Sequence, residues 1–448
     1  MGIIARHLFP VIDGIIILLM TMFTFANFTS SKKVLALVML WALILNLGTL
    51  FAKKFYKPEM YKFRDAYTLF EGLAIAAVIS AVISILMGNG TITYILITLF
   101  VIGTFLAILA TRIVYAIFRC IFKNPKNVLI VGAGQDGKLI AEEIQQRPEL
   151  GMNVVGFLDD NMNNIEDEDS SIPILGLTCD SEAVIKDNNV KVVIIAVKSR
   201  MNSNILTDLV KGIPLGVKVW RMYRFYEKIT HKFLVSKMSV NWLFYDCVRK
   251  KALLYASLKR FCDIIASIFI MILTLPLSLI AAVIIKLSDL GPIFFTQTRM
   301  GKFGKPFKLI KFRTMYQDKV EDNYDEDLTE VTADDKRIMP ACRILRKFHI
   351  DDIPMMINVL RGDMSIVGPR PVREEVYEEN RENIPFWECR NWVHPGWCGW
   401  QQVNVNEPTA EERVGYDLYY IKHRHIWWEF AIFLRFVGRI LIGKGRGK

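Results

Sequence analysis

Residues 264–285 read IIASIFIMILTLPLSLIAAVII, 22 apolar or small residues with Pro276 near their middle. A helix needs roughly 20 such residues to cross the hydrocarbon of a bilayer, so a fifth membrane span is the first reading. Both flanks are basic, however. Arg249, Lys250, Lys251, Lys259 and Arg260 precede the run, and Lys286, Arg299, Lys302, Lys305, Lys308, Lys311 and Arg313 follow it. Lysine and arginine mark the cytosolic side, and here they claim that side for both ends. Pro276 removes a helix hydrogen bond, and Thr274 and Ser278 stand close enough to satisfy the freed backbone groups. The expectation is a re-entrant hairpin that enters one leaflet and returns, keeping the downstream chain at the membrane surface.

Upstream, four apolar stretches at about 8–28, 34–51, 69–87 and 91–110 are each close to spanning length. The loop between the second and third carries Lys53, Lys54, Lys57, Lys62 and Arg64, and Arg112, Arg119, Lys123 and Lys126 follow the fourth. Despite Lys32 and Lys33 on the other side, the balance predicts a four-helix transmembrane unit over 1–120 with both ends in the cytosol. Asp13 and Glu71 lie near the cytosolic ends of these spans, where a carboxylate reaches water without a specific role. A hydrophobic share of 52% and a mean hydropathy of +0.28 over 448 residues agree with a membrane protein bearing cytosolic domains. The net charge of +11 comes without a zinc, helix-turn-helix or RNA-sheet signature, so no nucleic acid is expected. Anionic membrane lipids and phosphate substrates are the expected partners. Seven scattered cysteines with no CxxC pair suggest neither a disulfide framework nor a zinc site.

From Asn127 the pattern changes to short β-branched runs alternating with polar helical ones, a parallel, Rossmann-like α/β layout over 121–225. Gly132, Gly134 and Gly137 form GxGxxG between the first strand and its helix, and Asp159, followed by Asp160, ends the second strand where a ribose-binding acid would sit. Such a turn lets a pyrophosphate approach a helix N-terminus. The segment is short, however, with room for one mononucleotide half, and a structural or regulatory role is expected ahead of redox chemistry. Tyr255 and Lys259 make a Tyr-xxx-Lys pair, but one that opens a membrane segment far from the glycine turn, so a nucleotide-sugar dehydratase is set aside.

The chemistry-bearing stretch is 341–371, ACRILRKFHIDDIPMMINVLRGDMSIVGPRP. Asp351 and Asp352 ahead of Pro354 suit the start of a helix, and capping alone would explain them. Their surroundings include Lys311, Arg313, Arg343, Arg346, Lys347, Arg361 and Arg370. Among so many cations a carboxylate pair makes sense where one member attacks a phosphate, the other holds Mg²⁺, and arginines grip phosphate oxygens.

Here the sequence resembles the polyprenyl-phosphate glycosylphosphotransferases, the large monotopic phosphoglycosyl transferases. The resemblance is carried by Lys259-Arg260 with Asp263, Gly291-Pro292, Gln297 with Arg299, Lys311-Phe-Arg-Thr-Met315, Leu345-Arg346, Asp351-Asp352-Ile-Pro354, Asn358-Val-Leu360, Gly362-Asp-Met-Ser365 and Gly368-Pro-Arg-Pro371. PGWCGWQQV (395–403) and YDLYYIKHRHIWWEF (416–430) are similar to further family elements, with Trp397-Cys398 replacing the usual Ile-Thr.

The resemblance implies an order of 1–120 transmembrane, 121–225 Rossmann-like, 226–257 linker, and 258–448 re-entrant helix plus mixed α/β catalytic domain. It implies that Asp351 is the nucleophile and that Asp352, shorter than the usual glutamate, binds Mg²⁺ with it. Lys311, Arg313, Arg346 and Arg370 are then phosphate-binding, with Asp363 a further candidate. The implied reaction moves a sugar-1-phosphate from a UDP-sugar to undecaprenyl phosphate through an aspartyl-phosphosugar and releases UMP. It would start lipid-linked exopolysaccharide, capsule or O-antigen synthesis at the cytosolic face of a bacterial inner membrane. Glucose, galactose and N-acetylated sugars all stay open, as does a homodimer. The final stretch from Ile426, mixing tryptophans and aliphatics with Arg435, Arg439, Lys444 and Arg446, suits a basic interfacial helix. The rival reading is a membrane-anchored nucleotide sensor with an inactive effector domain.

Overall fold

The computed structural model describes residues 125–161, 172–197, 216–238, 253–316, 337–406 and 408–441. The four expected spans, the acidic insert near 318–335, residues 239–252 and the last basic residues lie outside them. The chain divides into two units, Met1–Met222 and Tyr223–Lys448.

In the first unit, runs of valine and isoleucine form β1 (Lys126–Val131), β2 (Met152–Leu158), β3 (Ile174–Gly176), β4 (Val190–Ile195) and β5 (Lys218–Arg221), with α1 (Gln135–Gln145) and α2 (Ser181–Asp187) between strands. All pairings are parallel, in the order β3-β2-β1-β4-β5. The parallel α/β expectation is borne out, but the sheet exceeds the expected single half, because β4 and β5 continue it beyond β1. Leu129, Val131, Leu158, Val193 and Ile195 form its core. The third glycine of the turn is a packing requirement: a Cβ on Gly137 would lie 1.9 Å from the Gly132 carbonyl oxygen.

The second unit opens within α3 (Met222–Thr230) and continues with α4 (Leu253–Ser288), a 36-residue helix that runs on through Pro276 without the break expected there. A β-hairpin follows, β6 (Phe294–Met300) with β7 (Pro306–Phe312). Next come α5 (Arg343–Lys347), a 3-10 turn at Ile350–Asp352, α6 (Met355–Arg361) and β8 (Ser365–Val367). The rest comprises α7 (Glu374–Asn383), β9 (Gly396–Cys398) parallel to β8, α8 (Trp400–Asn404), α9 (Ala410–His423) and α10 (Ile426–Leu441).

The apolar run 264–285 lies wholly within α4, and only 17% of its most apolar window is buried. Phe269, Ile272 and Leu273 are 64 to 69% exposed, which a soluble core helix would not tolerate, so α4 associates with a membrane. Its covered stripe, Asp263, Ser267, Ile270, Ala281 and Ile285, recurs at helical spacing and packs on the rest of the unit. The described part of 226–257, set apart by sequence as a linker, packs with the second unit as well. Phe233 and Val235 enter its core, Lys232 pairs with Glu412 at 2.6 Å, and the Trp400 indole donates to the His231 carbonyl at 3.0 Å.

Candidate active site

Asp351 and Asp352 close the 3-10 turn ahead of α6 and are 2% and 0% exposed. Water-free carboxylates persist only where hydrogen bonds or opposite charge compensate their lost hydration. For Asp352 the compensation is visible: Lys311 Nζ lies 3.0 Å from Oδ1, His349 Nδ1 3.3 Å from Oδ2, and Arg370 Nη1 3.9 Å from Oδ2.

Lys311 reaches the turn because α6 is fastened to β7. The side chain of the fully buried Asn358 accepts from Ile310 N (3.0 Å) and donates to the Lys308 carbonyl (2.7 Å), replacing ladder bonds along that strand. Asp363 accepts from the same amide at 3.3 Å, so it steadies this joint. Arg370 is held through its backbone. Its carbonyl accepts from Arg390 Nη2 (2.9 Å), the Pro371 carbonyl from Arg299 Nη1 (3.3 Å), and Arg299 is itself oriented by Gln297. Arg390 also forms a buried ion pair with Asp417 at 2.9 Å and lies over the Trp387 ring. Burial pushes the Asp417 carboxyl up, against the pull of Arg390 and Arg413. The loop carrying Arg370 crosses 394–399 so closely that a Cβ on Gly396 would lie 2.1 Å from Gly368 N.

The other two expected arginines sit differently. Arg313 is gripped by the Asp289 carboxylate and donates to the Asp289 (3.0 Å) and Pro292 (2.6 Å) carbonyls, so its guanidinium secures the turn after α4. Arg346 is buried and reaches Thr314 Oγ1 at 3.4 Å. Arg313 and Asp351 both act electrostatically on Cys342, whose thiol burial pushes up to about 11. His394, behind the Arg370 loop, is driven down to about 4 by burial and then by Lys302, Lys259 and Arg260, so its imidazole is neutral at pH 7.

Sequence reading gave no role to His349, Arg390 or Asp417. The first stands in the quoted motif, and the other two become partners only through tertiary packing of residues 27 apart. Tyr255 and Lys259, discounted as a catalytic pair, both bind Glu429 of α10, at 2.5 and 2.8 Å.

In the first unit, Asp159 folds back onto the glycine turn. Its Oδ2 accepts from Ala133 N inside the glycine turn (2.6 Å) and its Oδ1 from Asn161 N (2.9 Å). Asp160 binds the Thr178 amide and hydroxyl at 2.8 and 2.6 Å.

For Mg²⁺, no group of three or more ligating side chains occurs among the described residues. A hard cation that keeps several waters and is completed by substrate phosphates needs only one or two carboxylates, and Asp351 with Asp352 meets that requirement.

A family model described as bacterial sugar transferase matches residues 254–443, the stretch that builds this site. A Bacillus subtilis (strain 168) protein named uncharacterized sugar transferase EpsL is 33% identical over 192 residues, 42% of this chain and 89% of that protein. The chain belongs to the bacterial sugar transferase family. Within that family, the UDP-glucose:undecaprenyl-phosphate glucose-1-phosphate transferase of Escherichia coli (strain K12) is 31% identical over 316 residues, 69% of this chain and 66% of that one. The UDP-N-acetylgalactosamine-undecaprenyl-phosphate N-acetylgalactosaminephosphotransferase of Aeromonas hydrophila is 36% identical over 197 residues, 43% of this chain. That match spans 45% of the Aeromonas protein, less than two thirds of its length. A second family model, described as a CoA-binding domain, matches residues 52–212.

Proposed function

We propose that this bacterial sugar transferase moves a sugar-1-phosphate from a UDP-sugar to undecaprenyl phosphate, beginning a lipid-linked glycan. The observation that carries the reading is a pair of adjacent carboxylates shut away from water, with Lys311 and Arg370 converging on the second. The printed activities of the Escherichia coli and Aeromonas relatives support the same donor and acceptor classes.

In the proposed mechanism an Asp351 carboxylate oxygen attacks the sugar-bearing phosphorus. The bond from that phosphorus to the UMP oxygen breaks, UMP leaves with the electron pair, and the phosphosugar remains on Asp351 as an acyl phosphate. An oxygen of undecaprenyl phosphate then attacks the same phosphorus, the acyl-phosphate bond breaks, and the aspartate is restored. Arg370, whose Nη1 makes no hydrogen bond among the described residues, offers a donor to the transferred phosphate. Lys311, 3.0 Å from Oδ1, orients the Asp352 carboxylate. Mg²⁺ held by Asp352 and Asp351 would neutralise diphosphate charge. Exclusion of water from the turn protects an acyl phosphate from hydrolysis.

The proposal places this unit on the cytosolic face of the inner membrane, with α4 bent at Pro276 rather than broken there, so that it enters one leaflet and returns. Supporting this, Asp263, Ser267 and Ile270 near one end of α4 and Ala281 and Ile285 near the other are buried against the same unit, whereas none of residues 271–280 is. The nucleotide-sensor alternative is weakened by Asp159 and Asp160, whose carboxylates already serve as caps for backbone amides.

The test is UMP release by the purified full chain in detergent with Mg²⁺, undecaprenyl phosphate and a panel of UDP-sugars. Release from one donor, abolished by Asp351→Asn, is expected. A folded protein that releases UMP from no donor would refute the reading.

A further inference from the structure

His349 stands two residues before Asp351, and its backbone has φ 52°, in the left-handed region that side chains seldom adopt and that persists where the surroundings over-determine it. It is 6% exposed. One side of its imidazole meets Phe436 of α10, with ring centres 5.5 Å apart, and Phe436 is in turn backed by Trp397 at 5.3 Å. On another side, Nδ1 lies 3.3 Å from Asp352 Oδ2. The ring is therefore held from outside and meets the second carboxylate of the pair. With Lys311 on Oδ1, Arg370 Nη1 3.9 Å from Oδ2 and no exposed surface, Asp352 sits in a closed box of which the imidazole forms one wall.

We propose that His349 is a positioning residue for Asp352, fixing both the direction of its carboxylate and the length of side chain the position accepts. A glutamate there carries one more methylene, which drives its carboxylate about 1.5 Å further and into the ring. The imidazole orients Asp352 for its role beside Asp351, so the inference rests on the transferase reading for its kinetic arm and on packing alone for its thermal arm.

The experiment uses the full chain in detergent and compares wild type, His349→Asn, His349→Gly, Asp352→Glu and the Asp352→Glu/His349→Gly double variant. Asparagine and glycine both accept the left-handed backbone, but only asparagine keeps a polar group near the place of Nδ1. Asp352→Glu is expected to lower the thermal midpoint by about 3–8 °C when His349 is present, the usual cost of overpacking for a unit of this size. On the glycine background the same change should shift it by no more than about 1 °C. For UMP release, His349→Asn should keep a kcat about tenfold above that of His349→Gly at a KM within about twofold, the signature of lost orientation rather than lost binding.

Equal thermal penalties for Asp352→Glu on both backgrounds would overturn the proposal, as would equal kcat losses for the asparagine and glycine variants. If wild type releases no UMP from any donor, the transferase reading fails and the thermal comparison alone decides the positioning claim.

Discussion

Among the described residues the dipeptide Asp-Asp stands at 159–160 and again at 351–352, and these two copies have opposite fates. At 159–160 the carboxylates accept from the backbone amides of Ala133, Asn161 and Thr178, so each closes a turn of the parallel sheet. At 351–352 both side chains are buried, and the second is met by His349 of the same turn and by Lys311 and Arg370 from two other segments. A carboxylate that satisfies backbone amides fastens neighbouring loops, whereas one that gathers cationic side chains in a buried place holds a local field. What separates the two pairs is their partners, which the dipeptide does not encode.

The sharpest contrast is kinetic. Asp351→Asn should reduce UMP release by about 10³-fold or more, as expected for loss of a nucleophile, whereas Asp159→Asn should leave the rate within about twofold. Comparable losses from both would erase the distinction. Next, Lys311→Met strands a buried Asp352 without its nearest cation and should lower kcat by about 10²-fold, read from initial rates of UMP formation.

A smaller effect tests the sheet. Gly137→Ala forces a methyl against the Gly132 carbonyl and should cost about 1–3 kcal/mol locally. Hydrogen exchange should report faster opening of 126–158 with no change in UMP release per folded molecule.

The smallest concerns Glu227 of α3, which binds Lys422 at 2.9 and 3.0 Å and His423 at 2.7 Å. Burial raises its carboxyl, but His423 and Lys422 outweigh that and leave it below the ordinary 4.5. A depressed carboxyl contributes stability that is fully present above its unfolded value and disappears as pH falls through the folded one. Protection of α3 amides should therefore fall on acidification below about pH 4.5 in wild type. Glu227→Gln should show less protection at neutral pH and a flatter acid limb.

Much of this was legible in the residues. The β-branched runs and glycine turn marked the parallel sheet, and the apolar run marked the membrane-associated helix, because both rest on local periodicity and composition. The short motifs from Lys259 onward pointed to the stretch that the bacterial sugar transferase model matches. The runs of β4 and β5 read as strands, but their place on the far side of β1 from β2 and β3 did not, since strand order is a tertiary property. Nor was the commitment of Arg313 to Asp289, for a guanidinium beside a motif reads the same whether it faces a phosphate or a carboxylate 24 residues away. The left-handed turn at His349 and the Arg390–Asp417 pair carry no periodic signal at all.

The most direct measurement of the central claim is a half-reaction: the full chain with Mg²⁺ and its UDP-sugar labelled in the sugar, without undecaprenyl phosphate. The account predicts a burst of about one UMP per active site, with label retained on the peptide containing Asp351 and released to lipid when the acceptor is added. No UMP and no protein-bound label until the acceptor arrives would show direct transfer between the two substrates and contradict Asp351 as a covalent nucleophile.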